Sequence, residues 1–512
     1  MRRTIIIGSA VLLLLALGWV STSHAQTKDD TLVYALQSDV DTWDPPNSVL
    51  REAIILGYNV FDHLATRDLK TRRVIPSLAT SWKNIDDTTW EVKLRQNVKF
   101  HDGSPFTAKD VKASFERVLD PAKKMTARGN HAKIKGVDIV DDHTVRFRTD
   151  GPYPLFVERM TALVIHSEKV LREKPHEWVQ ENPIGTGPYK LVRWNRKQEH
   201  LLVRNDDYWG AKPAFKNLRI RIIPEQATQI AELISGGVDV IKAVPPDQMD
   251  VINKSGQART TISPILRTAF IQLDQAGRSG PNPFKDRRVR QAANLATNMD
   301  GIIKHVLNGL GDRTATAVNP MAFGFDPSLK PYTQDVERAK KLLAEAGYPN
   351  GVDVVYNQGP PTVEPGLLQT DEAIVADLTK AGFRVKQNYI GDNTVHVARV
   401  KESKGGPMFS WSWGYYSVFD ADAILHDIFK CGEPYSYYCN PVMDDLILQG
   451  RSTLDQKRRA EIYVKAQRHL FDEAAYLFKW GLRGVWGVSN RVEYEAPADE
   501  VDRMFLVTLR KK

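Results

Sequence analysis

The chain has 512 residues, 42% hydrophobic and 26% charged, with no low-complexity tract and no long run of one charge. That length exceeds what one core holds and calls for two or three domains, and the composition excludes a disordered, collagen-like or coiled-coil chain. Net charge is +8, and because the first 25 residues hold two arginines and no acid, +6 remains beyond them, a mildly basic surface rather than a nucleic-acid footprint.

Arg2 and Arg3 precede an apolar run from Ile5 to Val20, and Ser23-His24-Ala25 gives the small-x-small pattern cut by signal peptidase. The expectation is an export signal over residues 1–25, cleaved near Ala25, and a soluble periplasmic protein, since no later segment reaches eighteen apolar residues. No Cys stands at the cut, so no lipid anchor is expected there.

Thr31 to Leu36 predicts a strand, followed by a loop from Ser38 to Pro46, and Ile54 to Leu64 carries helical spacing. Trp90 to Leu94 predicts a strand, His101-Asp102-Gly103 a turn, and Thr107 with Asp110 three residues later a capping box opening a helix that buries Val111, Phe115 and Val118. Leu218 to Ile223 predicts a strand, and a helix through Ile230, Leu233 and Ile234 ends at Gly236-Gly237. Helices over Val336–Ala346 and Thr370–Ala381 each close on a glycine and lead into strands, Val352–Tyr356 and Arg384–Tyr389, the rhythm of a doubly wound lobe. A long helix is expected over 455–475, and the tail from Gly484 to Leu509 is expected to return as strands.

Between these lies an aromatic stretch, Phe409 to Asp422. Six of its first eleven residues are aromatic, and Phe409, Trp411, Trp413 and Tyr415 recur at a strict period of two. They therefore share one face of a strand, while Ser410, Ser412 and Gly414 on the other face leave room for a close neighbour. Two readings stay open: the rings border a small-molecule or peptide pocket, or they are ordinary sheet core. Asp420 and Asp422 are open in the same way, as charge for a pocket or as the cap of the apolar helix that begins at Ile424. The only cysteines, Cys431 and Cys439, share one loop, and in an exported protein they are expected to form a disulfide beside this strand.

Several stretches carry a family resemblance. Pro76 to Trp82 reads PSLATSW, and Trp90 to Val118 reads WEVKLRQNVKFHDGSPFTAKDVKASFERV. Gly185 to Tyr189 reads GTGPY, Asn205 to Pro213 reads NDDYWGAKP, and Phe284 to Ala292 reads FKDRRVRQA. In this order and spacing the chain resembles the extracellular solute-binding proteins of the dipeptide and oligopeptide-binding type, family 5, which serve ATP-driven importers.

The resemblance implies an α/β, two-lobed periplasmic-binding-protein fold of the large, three-subdomain type, with a discontinuous N-terminal lobe. Lobe 1 would comprise residues 26–70, 186–268 and 488–512, the inserted subdomain 71–185, and lobe 2 residues 269–487. It implies no catalytic residue, cofactor or metal. The implied partners are a peptide or other small solute and the permease and ATPase subunits of an ABC transporter at the inner membrane, the binding protein itself being a monomer. Ligand-binding strand edges would be Asp39, Val40 and Asp41 in the first lobe and, in the second, Trp413, Gly414, Tyr415 and Tyr416, with Trp411, Ser417 and Asp420 adjoining.

One departure stands out. Peptide binders of the family carry G-W-x-x-D here, the aspartate pairing with the ligand's α-ammonium, and Ser417 occupies that position, with the glycine and tryptophan inverted as Trp413-Gly414. A hydroxyl cannot replace that carboxylate, and the missing charge-assisted bond is worth about 1.5 to 3 kcal/mol. The expected cargo is thus a peptide or peptide-like solute, with a glycoside, opine or metal chelate as the alternative. A secreted hydrolase finds no support, because G-x-S-x-G and H-E-x-x-H are both absent. A sensor or chaperone would share the fold.

Overall fold

The computed structural model describes residues 30–48, 50–360, 364, 366–415 and 417–511. The expected export signal and Tyr416 lie outside the described residues.

The frame is an eleven-stranded mixed sheet. In chain order its main strands are β1 (Thr31–Leu36), β2 (Tyr189–Asn195), β3 (Glu199–Arg204), β4 (Asn217–Ile222), β5 (Val240–Lys242), β6 (Ala258–Leu273), β7 (Val352–Gln358), β8 (Phe383–Tyr389), β9 (Met408–Gly414) and β10 (Tyr476–Ser489). Their order across the sheet is β8-β7-β9-β6-β10-β5-β1-β4-β3-β2, with the short strand Gly311–Arg313 added against β10. β6 and β10 are sixteen and fourteen residues long and run antiparallel, from Ala258 opposite Ser489 to Gln272 opposite Tyr476. β9 pairs with the Arg267–Leu273 half of β6, and β5 with the Trp486–Val488 end of β10. The long pair is therefore the bridge between two lobes.

Each lobe follows from local sequence. β1 is parallel to both β4 and β5, and β7 is parallel to both β8 and β9. The helices that enter the description are α1 (Arg51–Val60), α2 (Ala108–Leu119), α3 (Leu367–Lys380), α4 (Asp422–Phe429) and α5 (Gln456–Asp472). α3 makes the crossover between β7 and β8, as the helix-glycine-strand rhythm predicts. α2 opens with the expected Thr107–Asp110 capping box and packs on a four-stranded antiparallel sheet built from residues 79–149.

Three apolar clusters cover the large sheet, two of them large and a smaller one around Ala35, Ile241 and Val485. One of the large two joins Phe115, Phe147 and Phe156, on and beside the four-stranded sheet, to Phe270, Phe409, Trp411 and Tyr476. The other holds Ala269, Ile271, Met408 and Trp480 together with Tyr34 and Leu218 of the first lobe. The alternation of Ala269, Phe270 and Ile271 between clusters is the period-two signature of a sheet buried on both sides.

The carboxyl-terminal part departs from expectation. β10 begins at Tyr476, ahead of Gly484, because it is buried on both faces and shows no polar alternation to announce a strand. Among the described residues beyond Ser489, only Val492–Glu493 and Thr508–Leu509 form strands, and the segment between them bonds to the bridge through Ala498 and Asp502.

Candidate functional site

The register of β6 and β10 breaks at the middle of the bridge. Pro264 faces Arg483 and Thr268 faces Gly481, so Ile265, Leu266 and Arg267 bulge out opposite Leu482. A proline, which cannot donate to a ladder, is tolerated at such a bulge, and bulges re-aim side chains. Four of the backbone groups there have partners. Leu266 donates to Ala498 O at 2.7 Å and accepts from the Tyr415 N–H at 3.2 Å. The Asn319 side-chain amide donates to the Ile265 and Arg267 carbonyls, each at 3.1 Å.

The bulge turns Arg267 toward the C-terminal segment. Its Nε donates to Glu500 at 3.0 Å and its Nη1 to Ser412 Oγ at 3.3 Å. Arg51, at the start of α1, donates to the same Glu500 at 2.7 Å. Gly414 is required here, since a Cβ at that position would collide with the Arg267 guanidinium. Glu500 holds a left-handed backbone, φ 61°, which a non-glycine residue keeps only where its surroundings enforce it. Burial pushes its carboxyl up, but Arg267, Arg51 and Lys242 outweigh that and leave it below its ordinary value.

Two cavities flank the bridge. The larger, about 30 Å³ and partly open to solvent, is lined by Arg51, Lys242, Ile265, Trp486 and Glu500 among others. The smaller, about 10 Å³, is lined by Pro246, Leu307, Glu364 and Trp480. Leu482, Arg483 and Val485 border both, so the two adjoin at β10. Gly484 keeps the strand thin there, since a Cβ on it would press on the Trp486 ring and on Ile265.

Charge is distributed unevenly around these cavities. Lys242 and Trp486 both donate to Asp502, at 2.7 and 3.0 Å. Arg483 pairs with Asp312 at 2.6 Å. Beyond the smaller cavity the fully buried Lys479 lies 2.5 Å from Glu364 and 3.9 Å from Asp371. Burial pushes the Asp371 carboxyl up to about 7, against the pull of Lys479 and with the help of Glu364.

The residues singled out in the sequence lie elsewhere. Trp411 is only 8% exposed and packs against Phe409, His396 and Tyr435. Trp413 donates its indole N–H to Ala423 O at 2.7 Å, and the Tyr415 hydroxyl donates to Ala317 O at 3.1 Å. None of the three lines either cavity. Trp411 and Tyr415 belong to an apolar cluster that also holds residues of α4, Tyr437 and Tyr438 and residues of the 79–149 sheet, and Trp413 packs against it half-buried. What meets the cleft side is the small-residue face, through the contact of Ser412 with Arg267.

Asp420 is also structural. It takes both terminal nitrogens of Arg459, at 2.6 and 2.8 Å, and accepts the Asp422 N–H at 3.0 Å, which satisfies the start of α4. Asp422 lies 3.3 Å from Arg451. Asp39 receives His200 at 2.7 Å, Trp194 at 3.1 Å and the Lys197 N–H at 2.7 Å, and so staples the first loop to the β2–β3 hairpin. Val40 is buried beside it, and Asp41 accepts from Ser48 Oγ at 2.5 Å. Ser417 is buried and donates to Asp499 at 2.8 Å; Asp499 is itself paired with Arg503 at 2.7 Å. Cys431 and Cys439 form the expected disulfide.

Arg51, Arg267, Glu364, Lys479, Arg483 and Glu500 were not anticipated. A sequence signal for some of them exists: Pro264, Arg267 and Lys479 interrupt apolar runs, and Asp499, Glu500 and Asp502 crowd one short segment. Among the described residues, no group of three or more His, Cys, Asp or Glu is placed to hold a metal ion, and no helix is long and apolar enough to cross a membrane.

Comparison with known proteins places this architecture. The family pattern of the bacterial extracellular solute-binding proteins, family 5, middle region, matches residues 73–436. The chain is 28% identical over 496 residues to the probable D,D-dipeptide-binding periplasmic protein DdpA of Escherichia coli K12, covering 93% of each. It superposes with a TM-score of 0.83, at 26% identity, on the ABC transporter-associated periplasmic binding protein DppA from Helicobacter pylori in complex with the peptide STSA, covering 95% of this chain and 99% of that one. AgaA of A. tumefaciens R10, solved with agropinic acid, shares the fold at a TM-score of 0.80 and 24% identity, covering 94% of this chain and 99% of that one. The fold is thus the two-lobed one of periplasmic binding proteins, and the chain belongs to the bacterial extracellular solute-binding proteins of family 5, which bind solutes rather than transform them.

Proposed function

We propose that this chain is the exported solute-capturing component of an ABC importer, which closes its lobes on a peptide or peptide-like solute and presents it to the permease. Residues 1–25 serve as the cleaved export signal, and the mature protein works in the periplasm as a monomer. Residues 26–70, 186–268 and 488–512 act as one lobe, 71–185 as its inserted subdomain and 269–487 as the other lobe, hinged on β6 and β10. The observation that carries this reading is the bridge itself, two long antiparallel strands with two small cavities bordered by β10 at its middle. The relatives' names support the cargo class.

A second reading, a non-peptide solute such as an opine, is favoured by Ser417, which leaves no carboxylate of its own at the end of β9. A thermal-shift screen of the mature protein against dipeptides, tripeptides, opines, glycosides and metal chelates tests both. A true cargo at a hundred times its dissociation constant adds about 2.7 kcal/mol to stability. Small-angle scattering then reports closure. Failure of every class to raise the melting temperature, or turnover of the bound solute, would sink the proposal.

A further inference from the structure

We infer that residues 417–420 form a clasp that holds the two lobes together in the absence of a solute, with Ser417 as its catch. The inference rests on the capture reading above and adds to it the resting state of the empty protein.

One end of the clasp is anchored in the 269–487 lobe. Asp420 takes both terminal nitrogens of Arg459 on α5, at 2.6 and 2.8 Å. Phe419 O accepts the Phe323 N–H at 2.8 Å, and Phe323 O accepts the Ala421 N–H at 3.0 Å. These bonds make the tip beyond β9 move with its own lobe.

The remaining polar groups of the tip are held by side chains from the other side of the proposed division. The Ser417 carbonyl accepts from Arg67 Nε at 3.0 Å and from Thr161 Oγ1 at 3.4 Å, and the Ser417 hydroxyl donates to Asp499 at 2.8 Å. The Phe419 N–H donates to Glu158 at 3.0 Å. Arg67 also pairs with Glu158 and lies over the Phe419 ring, 4.3 Å from its centroid. The grip thus comes from three separate stretches of chain, each braced in turn: Arg67 donates to Arg72 O at 2.5 Å, Thr161 O accepts from the Tyr58 hydroxyl, and Asp499 pairs with Arg503 at 2.7 Å.

Arg67, Thr161, Ser417 and Asp499 are all buried, so these bonds are shielded from water. Three of the four bonds to the tip backbone or hydroxyl involve a charged group, the stronger class of hydrogen bond, and all of them form with no solute bound. Each group can take water instead when the lobes part, which makes the joint reversible. A carboxylate at position 417 would stand beside Asp499, where like charges repel. Binding of a solute to the clasped protein has less closure left to drive, because the closed form is already populated.

The test is small-angle scattering on the ligand-free, full mature chain, joined to hydrogen exchange of the segment around Phe419. The wild type is expected to be compact. Arg67→Gln and Ser417→Asp should shift to a larger radius of gyration, Ser417→Ala should lie between, and Lys70→Ala, on the exposed loop nearby, should match wild type. The Phe419 amide should exchange about tenfold faster in Arg67→Gln, as local opening exposes it. Near-UV circular dichroism checks that each variant is folded, and should Arg67→Gln fold poorly, Ser417→Ala, which removes one hydroxyl, takes its place. An open wild type, or variants that match wild type in scattering and exchange, overturns the inference. So does tighter calorimetric binding of the dipeptide Ala-Leu by Ser417→Asp, which would show residue 417 facing the solute. Variants that open while the solute screen stays silent remove the capture reading and leave the clasp; a bound solute with unchanged variants does the reverse.

Discussion

The two faces of β9 lie one strand's thickness apart and have been put to opposite uses. On the ring face, Trp411 and Tyr415 are buried and Trp413 is half-buried against the same apolar cluster, and the polar atoms of Trp413 and Tyr415 find partners inside the protein. On the other face Ser412 and Gly414 leave room for Arg267, whose guanidinium reaches Glu500 at the wall of the larger cavity. The contrast teaches that the residues with most surface to bury serve stability, while the smallest ones make room for the charged groups at the cleft.

That contrast can be broken or sharpened by experiment. The largest expected effect is on the ring face: Trp411→Ala should cost about 3 to 5 kcal/mol of stability in ligand-free protein, as other buried tryptophans do, with solute affinity changed less than threefold. Chemical denaturation and calorimetry measure the two. Reduction of Cys431–Cys439, on the same side, should cost about 2 to 3 kcal/mol, the value for closing a short loop.

Next comes a pH effect on the cleft side. Folded Asp371 keeps its proton up to about pH 7, while the unfolded chain loses it near pH 4, so the folded state binds more protons between these values. Its contribution is fully present below about pH 4 and is lost as pH rises to about 7, with a slope of at most about 1.4 kcal/mol per pH unit. His63 acts in the opposite sense. Burial lowers its pKa to about 3, so stability is gained as pH rises from there to about 6.5. The prediction therefore concerns the difference between wild type and Asp371→Asn across that window, which should narrow as pH falls.

The smallest stability effect is expected at Arg483. Its side chain is 40% exposed and pairs with a half-buried Asp312, so Arg483→Ala should cost less than about 1 kcal/mol. Yet it lines both cavities, and the same substitution should weaken solute binding by about tenfold. An affinity left intact would move the site away from the bridge.

Much of the fold could be read from neighbouring residues alone. β1 spans Thr31–Leu36 as its composition predicts, and the Thr107–Asp110 box opens α2 where the motif puts it. α3 and β8 follow the helix-glycine-strand rhythm, with Gly382 in the left-handed conformation that ends the helix. The charged residues of the cleft could not be read this way. Arg267 meets Glu500 across 233 positions, and Lys479 meets Glu364 across 115, distances over which no local pattern carries information.

The sequence by itself determined the family, the alternating faces of β9 and the disulfide loop, because each depends on motifs or on residues a few positions apart. Tertiary structure alone decided which face of β9 is sealed. A period of two says which side chains stand together, and leaves open which of the two sides the rest of the chain will cover. Here residues of α4, Tyr437 and Tyr438 and residues of the 79–149 sheet join the rings in one apolar cluster, and the bulge of β6 gives the other side its charge.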